Sequence, residues 1–247
     1  MASIATNNNE TDDQHSAGKS ILLHLLPGII IGIVYFALWV PLSKHGYPSY
    51  MSLAIAVIVA LIPLELGFLL FTGYRKNGKL SLDGVVLYRN KIPLWNYFVY
   101  VPVMFLIMGP IFIGFKPVAQ FLQSSLFSWV PDMQTGLVAG YSRSVLIQTY
   151  ILIAIFVVII GPIVEELYFR GYLLPRMKYA GKFAIALNSF LFALYHVFSP
   201  WMLVTRAIGI IPIAFAAKRK NIYLGMIVHV LANSLDVIAA CIFIASM

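Results

Sequence analysis

The sequence predicts an all-α polytopic membrane protein with seven or eight transmembrane helices in one bundle. Of the 247 residues, 61% are hydrophobic and 11% are charged, whereas soluble domains carry about 25% charged residues. The hydrophobic residues form long runs without the alternation that is typical of a β-strand. Runs long enough to cross about 30 Å of hydrocarbon lie near residues 21–42, 50–72, 96–115, 144–162, 183–198, 200–217 and 221–246.

The chain divides into a polar N-terminal tail and one transmembrane helical domain. Residues 1–20 contain three consecutive asparagines and several acidic residues, a composition typical of a disordered tail. Residues 21–247 form the transmembrane domain, and its core at residues 144–247 carries the motifs described below. Because the first apolar run is longer than the roughly 7–15 residues of a signal-peptide core, we expect it to be a retained span.

Two segments have more than one interpretation. Residues 163–177 continue the helical pattern after Gly161 and Pro162, so they are either a kinked extension of the fourth span or a separate short helix. Residues 117–143 mix polar and apolar residues, which fits either a re-entrant or an interfacial segment.

Basic residues orient the helices. If the spans alternate, twelve Lys and Arg residues fall on one side, at Lys19 and in three loops, residues 73–95, 176–182 and 218–220, which we call the basic loops. Three fall on the other side: Lys44, Lys116 and Arg143. Cytoplasmic loops carry an excess of Lys and Arg, so we expect a multi-pass protein of the cell membrane with a cytoplasmic N-terminus. The formal charge of +8 then reflects orientation in the lipid bilayer, and no nucleic-acid partner is predicted.

Three charged residues follow the fourth apolar run, within Ile-Val-Glu-Glu-Leu-Tyr-Phe-Arg-Gly at residues 163–171. A charge at membrane depth costs about 2.5–3.5 kcal/mol on insertion scales, so such residues are candidates for function. Glu166 and Arg170 are spaced i,i+4 on one helix face and can pair. Glu165 points about 100° away from Glu166, so we expect it to be free to accept a proton.

Polar residues on two later helices lie at a similar depth. His196 ends an otherwise apolar helix, and His229 and Asn233 are spaced i,i+4 on the last helix. At 1.5 Å per residue, Glu165, His196 and His229 lie about 18, 21 and 14 Å from the nearest basic loop. A buried site formed by three helices is therefore predicted.

Two chemistries fit these side chains. Glu165 can act as general base on a water that His196 and His229 position, while Asn233 donates a hydrogen bond to a developing oxyanion. The alternative uses Glu165, His196 and His229 as ligands of a catalytic zinc ion. Spacing does not separate the two, and no cofactor is firmly predicted. The one cysteine, Cys241, is expected near the outer end of the last helix, away from this cluster, which argues against a cysteine protease; with a single cysteine no intrachain disulfide can form.

Glu-Glu-x-x-x-Arg at 165–170, Phe-x-x-x-His at 192–196 and His-x-x-x-Asn at 229–233 resemble the three motifs of the CAAX protease and bacteriocin-processing (Abi) family. This family contains the type II CAAX prenyl endopeptidases. The resemblance implies a helical intramembrane endopeptidase in which four residues act on the catalytic water and two support them. The first group is Glu165, His196, His229 and Asn233, and the second is Glu166 and Arg170. The short chain and polar tail resemble the bacteriocin self-immunity members of the family.

The sequence thus predicts an endopeptidase that hydrolyses a peptide bond near the cytoplasmic membrane face, with a membrane peptide or protein as substrate. Its role would be peptide processing or bacteriocin self-immunity. Two other classes stay open: a non-catalytic membrane immunity protein, and a proton-coupled transporter, since Glu, His and Asp at membrane depth also form proton relays.

Three further charged residues lie within the apolar runs. Glu65 and Arg206 are expected to form ion pairs or to snorkel towards the interface, with a position along the substrate path as the weaker alternative. Asp236 is expected to hydrogen-bond to a neighbouring helix.

Overall fold

The computed structural model describes residues 11–247, and over that range the regular secondary structure is entirely helical. The all-α membrane fold is thus confirmed. The helices are α1 Ala17–Lys44, α2 Ser49–Asn77, α3 Trp95–Ser124, α4 Arg143–Arg176, α5 Ala184–Tyr195, α6 Pro200–Arg219 and α7 Ile222–Ala245. Of these, all but α5 are long and apolar enough to cross a membrane, which gives six such helices in the described part of the chain.

The span count is lower than the seven or eight predicted because α5 is short. It has 12 residues, whereas a span needs about 20. The helix ends at Tyr195, because the next residue, His196, has a ψ of 58° that departs from helical geometry. On the other side, Gly181 adopts a positive φ of 52°, a conformation that favours glycine. Hydropathy alone does not show these two breaks.

Helix α4 is continuous over 34 residues, so residues 163–177 extend the fourth span. Its winding changes twice, because the α-helical turn Gly161–Glu165 lies between two π-helical segments, Ile153–Ile160 and Glu166–Leu173. Pro162 stands at the first of these changes, and proline removes a backbone donor and crowds the preceding turn. Glu165 therefore lies at a junction between two helical geometries, a frequent location for functional residues.

Helix α1 packs closely against the end of α5. A side chain at Gly28 would overlap the backbone carbonyl of Tyr195, and one at Gly32 would overlap the side chain of Val197. Small residues four apart allow membrane helices to approach at backbone distance. Pro27, beside this contact, cannot donate to the Leu23 carbonyl, and the Tyr168 hydroxyl donates to that carbonyl instead, at 2.8 Å.

Residues 11–16 lie against the end of α4. Arg176 Nε pairs with Asp13 Oδ2 at 3.1 Å, and the His15 amide donates to the Arg176 carbonyl at 3.0 Å. The His15 ring is buried beside the Tyr172 ring. The prediction of a disordered tail falls in part on residues 1–10, which lie outside the described residues. From Asp13 onwards the structure differs from it, because this segment packs on α4 and α1 begins at Ala17.

The loop between α2 and α3 also packs on α4. Gly171 approaches Val86 closely, and its carbonyl accepts a hydrogen bond from the Leu87 amide at 2.8 Å. Pro175 has no N–H to donate to that carbonyl from the next turn, which leaves it free for the loop. The end of α4 nearest the basic loops is therefore covered by protein.

An aromatic layer lies between Glu165 and the basic loops. Phe169 contacts Phe192 and Tyr195, with ring centroids 4.9 Å apart in both pairs, and Tyr168 at 5.2 Å. All four rings are at most 1% exposed. Such edge-to-face contacts fill the interior at high density, so the bundle is closed on this side of Glu165.

Candidate active site

A cavity of about 620 Å³ lies among α1 to α7. Its polar and charged wall residues include Asp132, Glu165, His196, Arg206, His229, Asn233 and Asp236. Side chains from three separate helices thus face the same cavity. Glu165 comes from α4, His196 from the end of α5, and His229 and Asn233 from α7.

The cavity extends away from the basic loops. On α4 the wall runs from Ile153 to Glu165, and no described residue of α4 after Glu165 contributes. On α7 it runs from His229 to Asp236, and no earlier described residue of that helix contributes. Asp132, between α3 and α4, also lines it. We call the membrane side that carries the segment between α3 and α4 the distal side. Along α4 and α7 the cavity wall therefore extends from Glu165 and His229 towards the distal side.

Glu165 lies between two imidazole rings. Its Oε1 is 3.8 Å from His196 Nε2, and its Oε2 is 3.8 Å from His229 Nε2. Glu165 as a whole residue is 7% exposed, and it lines the cavity. These separations are too long for direct hydrogen bonds, and polar groups beyond about 3.5 Å are commonly bridged by water.

The partners of the other ring nitrogens fix the histidine tautomers. His196 Nδ1 lies 2.9 Å from the Phe192 carbonyl, and His229 Nδ1 lies 3.1 Å from Glu166 Oε1. A carbonyl and a carboxylate only accept, so each Nδ1 carries the proton and donates. In the neutral rings each Nε2 then presents a lone pair towards Glu165. Three acceptors converge, an arrangement that binds a donor such as water.

Glu166 and Arg170 form the ion pair expected from their spacing. Arg170 Nη1 lies 3.3 Å from Glu166 Oε1, and both side chains are fully buried. The Arg170 guanidinium also lies 4.1 Å from the centre of the Phe192 ring. Because Glu166 Oε1 also accepts from His229, one carboxylate both neutralises Arg170 and orients an imidazole. Helix α7 approaches closely here, since a side chain at Gly225 would lie 3.1 Å from Glu166 Oε2.

Asn233 forms a hydrogen bond with α4 close to Pro162, where the winding of that helix changes. The Gly161 amide donates to Phe156, and Pro162 has no N–H for the next carbonyl, that of Val157. Asn233 Nδ2 donates to Val157 at 3.4 Å, a long hydrogen bond that ties α7 to α4. Its amide lies one helical turn beyond His229, on the cavity wall.

Zinc coordination by Glu165, His196 and His229 was the alternative interpretation of the sequence. Within residues 11–247, no group of three or more His, Cys, Asp or Glu side chains is arranged so that it could hold one. The proposed zinc ligands Glu165, His196 and His229 do face one another, and in this geometry they present acceptors to a shared cavity. We derive no step through a metal.

The structure corrects the expectation for Glu65 and settles that for Asp236. Glu65 is fully buried and forms no ion pair with a described residue; its Oε1 accepts a hydrogen bond from the Tyr195 hydroxyl at 2.7 Å. Asp236 Oδ2 accepts from the Tyr50 hydroxyl at 2.9 Å, the helix-to-helix hydrogen bond that was expected.

Arg206 lies on the cavity wall and does not snorkel to an interface. Its Nη2 donates to Ser199 Oγ at 3.2 Å. This position corresponds to the weaker of the two interpretations of the sequence. The sequence showed a cation inside an apolar run, but the direction in which the Arg206 side chain points depends on how α6 packs.

Residues 147–235 match the family model described as type II CAAX prenyl endopeptidase Rce1-like. Residues 147–235 are an Rce1-like domain. This matched segment covers less than half of the chain, runs from α4 to α7 and contains every site residue named from the motifs. No curated protein and no solved structure matches the chain. The Rce1-like domain covers neither α1 nor α2, although Glu65 and Gly28 from these helices contact its Tyr195.

Proposed function

We propose that the protein is an intramembrane endopeptidase in which Glu165 activates a water molecule held between His196 and His229. The observation that carries the proposal is the position of the Glu165 carboxylate, 3.8 Å from each Nε2 on the wall of one cavity. A water bridging these atoms can donate one O–H to Glu165 and the other to an imidazole. It then keeps a lone pair for the scissile carbonyl carbon.

The proposed reaction needs two proton transfers. Glu165 takes a proton from the water as the water oxygen bonds to the carbonyl carbon, and it delivers that proton to the leaving amine when the C–N bond breaks. Glu166 holds His229 in the tautomer that accepts the water's O–H. Asn233 donates to the oxyanion of the tetrahedral intermediate, for which its amide must exchange the long contact with Val157.

The substrate in this proposal is a peptide or protein segment that reaches the cavity from the distal side or from the bilayer. The cavity wall supports this, because it runs from Glu165 to Asp132 and Asp236 and includes no residue of the basic loops within the described chain. A role in bacteriocin self-immunity stays a prediction, as does peptide processing.

The test compares Glu165→Gln, His196→Ala and His229→Ala with the wild type. Purified protein in nanodiscs is incubated with a library of apolar peptides, and cleavage is followed by mass spectrometry. Loss of a general base lowers rates by about 10²–10⁴-fold, so Glu165→Gln should lose at least about 100-fold. Asp83→Asn is the control, because Asp83 is an exposed carboxylate in a basic loop. Full activity in all three site variants, with folding unchanged, would refute the mechanism.

The same variants separate the rival functions. A non-catalytic immunity protein would protect cells equally well with Glu165→Gln as without it. A proton-coupled transporter needs access from both faces, and the aromatic layer beyond Glu165 does not favour that. Proton-coupled uptake by proteoliposomes would support the transporter instead.

A further inference from the structure

Arg206 is a guanidinium within a membrane-spanning helix, and it has no acidic partner among residues 11–247. Within the described chain no carboxylate lies within ion-pair distance of it, and its contact is a single hydrogen bond from Nη2 to Ser199 Oγ at 3.2 Å. Its Nη1 is buried without a hydrogen-bond partner among these residues. Arg206 is also the one Arg or Lys in the described wall of the cavity.

Arg170 is the contrasting case, a buried cation whose charge is compensated by neighbouring side chains. That guanidinium is fully buried, lies 3.3 Å from Glu166 and stacks on Phe192. Arg206 has neither an ion pair nor an aromatic ring beneath it among residues 11–247. Since an uncompensated charge at membrane depth is costly, a cation kept on a cavity wall indicates an anionic group that enters the cavity.

The position of Arg206 relative to Glu165 indicates where that anion lies. Both side chains line the same cavity, and they are not within ion-pair distance of each other. A peptide placed between them would present its carbonyl carbon to the water on Glu165 and its oxygen atoms to Arg206. Ser199, one residue before α6, fixes one end of the guanidinium and leaves Nη1 for the substrate.

We propose that Arg206 binds an anionic oxygen of the peptide substrate and that Ser199 positions it. The inference rests on the proposed function, and the anionic oxygen has two sources, the tetrahedral oxyanion of the scissile carbonyl or a free C-terminal carboxylate. Arginine suits either, because its planar guanidinium donates parallel charge-assisted hydrogen bonds to paired oxygens.

The experiment measures binding, so it does not depend on turnover. Three N-acetylated apolar tetrapeptides differ only in their anions: one has a C-terminal carboxylate, one has a carboxamide, and one has the carboxamide and a phosphinate that replaces the central amide. Wild type, Arg206→Gln, Arg206→Lys and Ser199→Ala are compared in nanodiscs by the ligand-dependent shift of the thermal unfolding midpoint. Arg143→Gln is the matched control, because Arg143 is exposed and does not line the cavity.

Loss of charge-assisted hydrogen bonds should weaken binding about tenfold or more. If Arg206→Gln weakens only the carboxylate peptide, Arg206 binds the C-terminus; if it weakens only the phosphinate, Arg206 binds the oxyanion. Either outcome supports the proposal, with a smaller loss expected for Ser199→Ala and none for Arg143→Gln.

The proposal is overturned if wild type binds the neutral carboxamide as tightly as both anionic peptides, or if Arg206→Gln leaves all affinities unchanged. Where Arg206→Gln does not fold, Arg206→Lys and Ser199→Ala decide the question, since they keep the charge. Glu165→Gln should lose cleavage and retain anion binding, so failure of the hydrolytic mechanism and failure of anion binding are read separately.

Discussion

Replacing Arg170 by Met tests whether the buried pair with Glu166 stabilises the bundle chiefly by neutralising charge. The substitution removes the cation and keeps most of the side-chain length, so it leaves Glu166 fully buried beside His229 with no opposite charge. Breaking a buried ion pair in this way costs about 3–5 kcal/mol. Loss of the contact with Phe192 at 4.1 Å adds to the cost, since a desolvated cation–π contact is worth about 2 kcal/mol.

The double variant Glu166→Gln/Arg170→Met should be more stable than Arg170→Met alone. A neutral Gln leaves no uncompensated charge, and its carbonyl can still accept the hydrogen bond from His229 Nδ1. Replacement of a whole buried pair by neutral groups is often nearly neutral in free energy. We therefore expect the double variant to recover most of the stability that Arg170→Met loses.

The free energy of unfolding is measured by denaturant titration in detergent, followed by far-UV circular dichroism. Arg219→Met is the control, because Arg219 is exposed at the end of α6, and it should change stability by less than about 0.5 kcal/mol. The reasoning fails if Arg170→Met is as stable as the double variant, because the guanidinium would then not be compensating a buried charge.

Two further predictions concern the N-terminal part of the chain. Gly28→Ala should destabilise the protein and lower peptidase activity, because the added methyl overlaps the Tyr195 carbonyl. Gly18→Ala is the control, since Gly18 has open space around it and the substitution should have no such effect. Unfolding midpoints and cleavage rates check this, and equal values for the two variants would contradict it. Burial and nearby cations lower the pKa of His15 to about 4, so the unfolded chain binds the proton first and stability should fall as pH decreases from about 6.5 to about 4. His15→Gln should show a smaller fall over this pH range in thermal unfolding, and an unchanged pH dependence would contradict the assignment.

The spacing of the motifs predicted which residues share a site because it depends on helical rise, which is nearly constant. Glu165, His196 and His229 were expected at one depth, and the structure places them around one cavity. The pairing of Glu166 with Arg170 follows from local geometry in the same way. Their catalytic roles stay predictions that the variants above test.

What the sequence did not predict depends on contacts between distant segments. The carboxyl of Glu65 is satisfied by Tyr195, 130 positions later, and no local pattern indicates that partner. The length of α5 depends on backbone breaks at both ends, although residues 183–198 are predominantly apolar in sequence. The direction of the cavity depends on where α4 and α7 separate from each other along their length. The number of residues between a site and a loop does not predict that separation.

The aromatic layer behind Glu165 has a consequence for the electrical properties of the membrane. If water from the distal side fills the recess, a transmembrane voltage falls mostly across the packed part of the bundle that contains Phe169 and Tyr195. The packed rings then separate the water in the recess from the side that carries the basic loops.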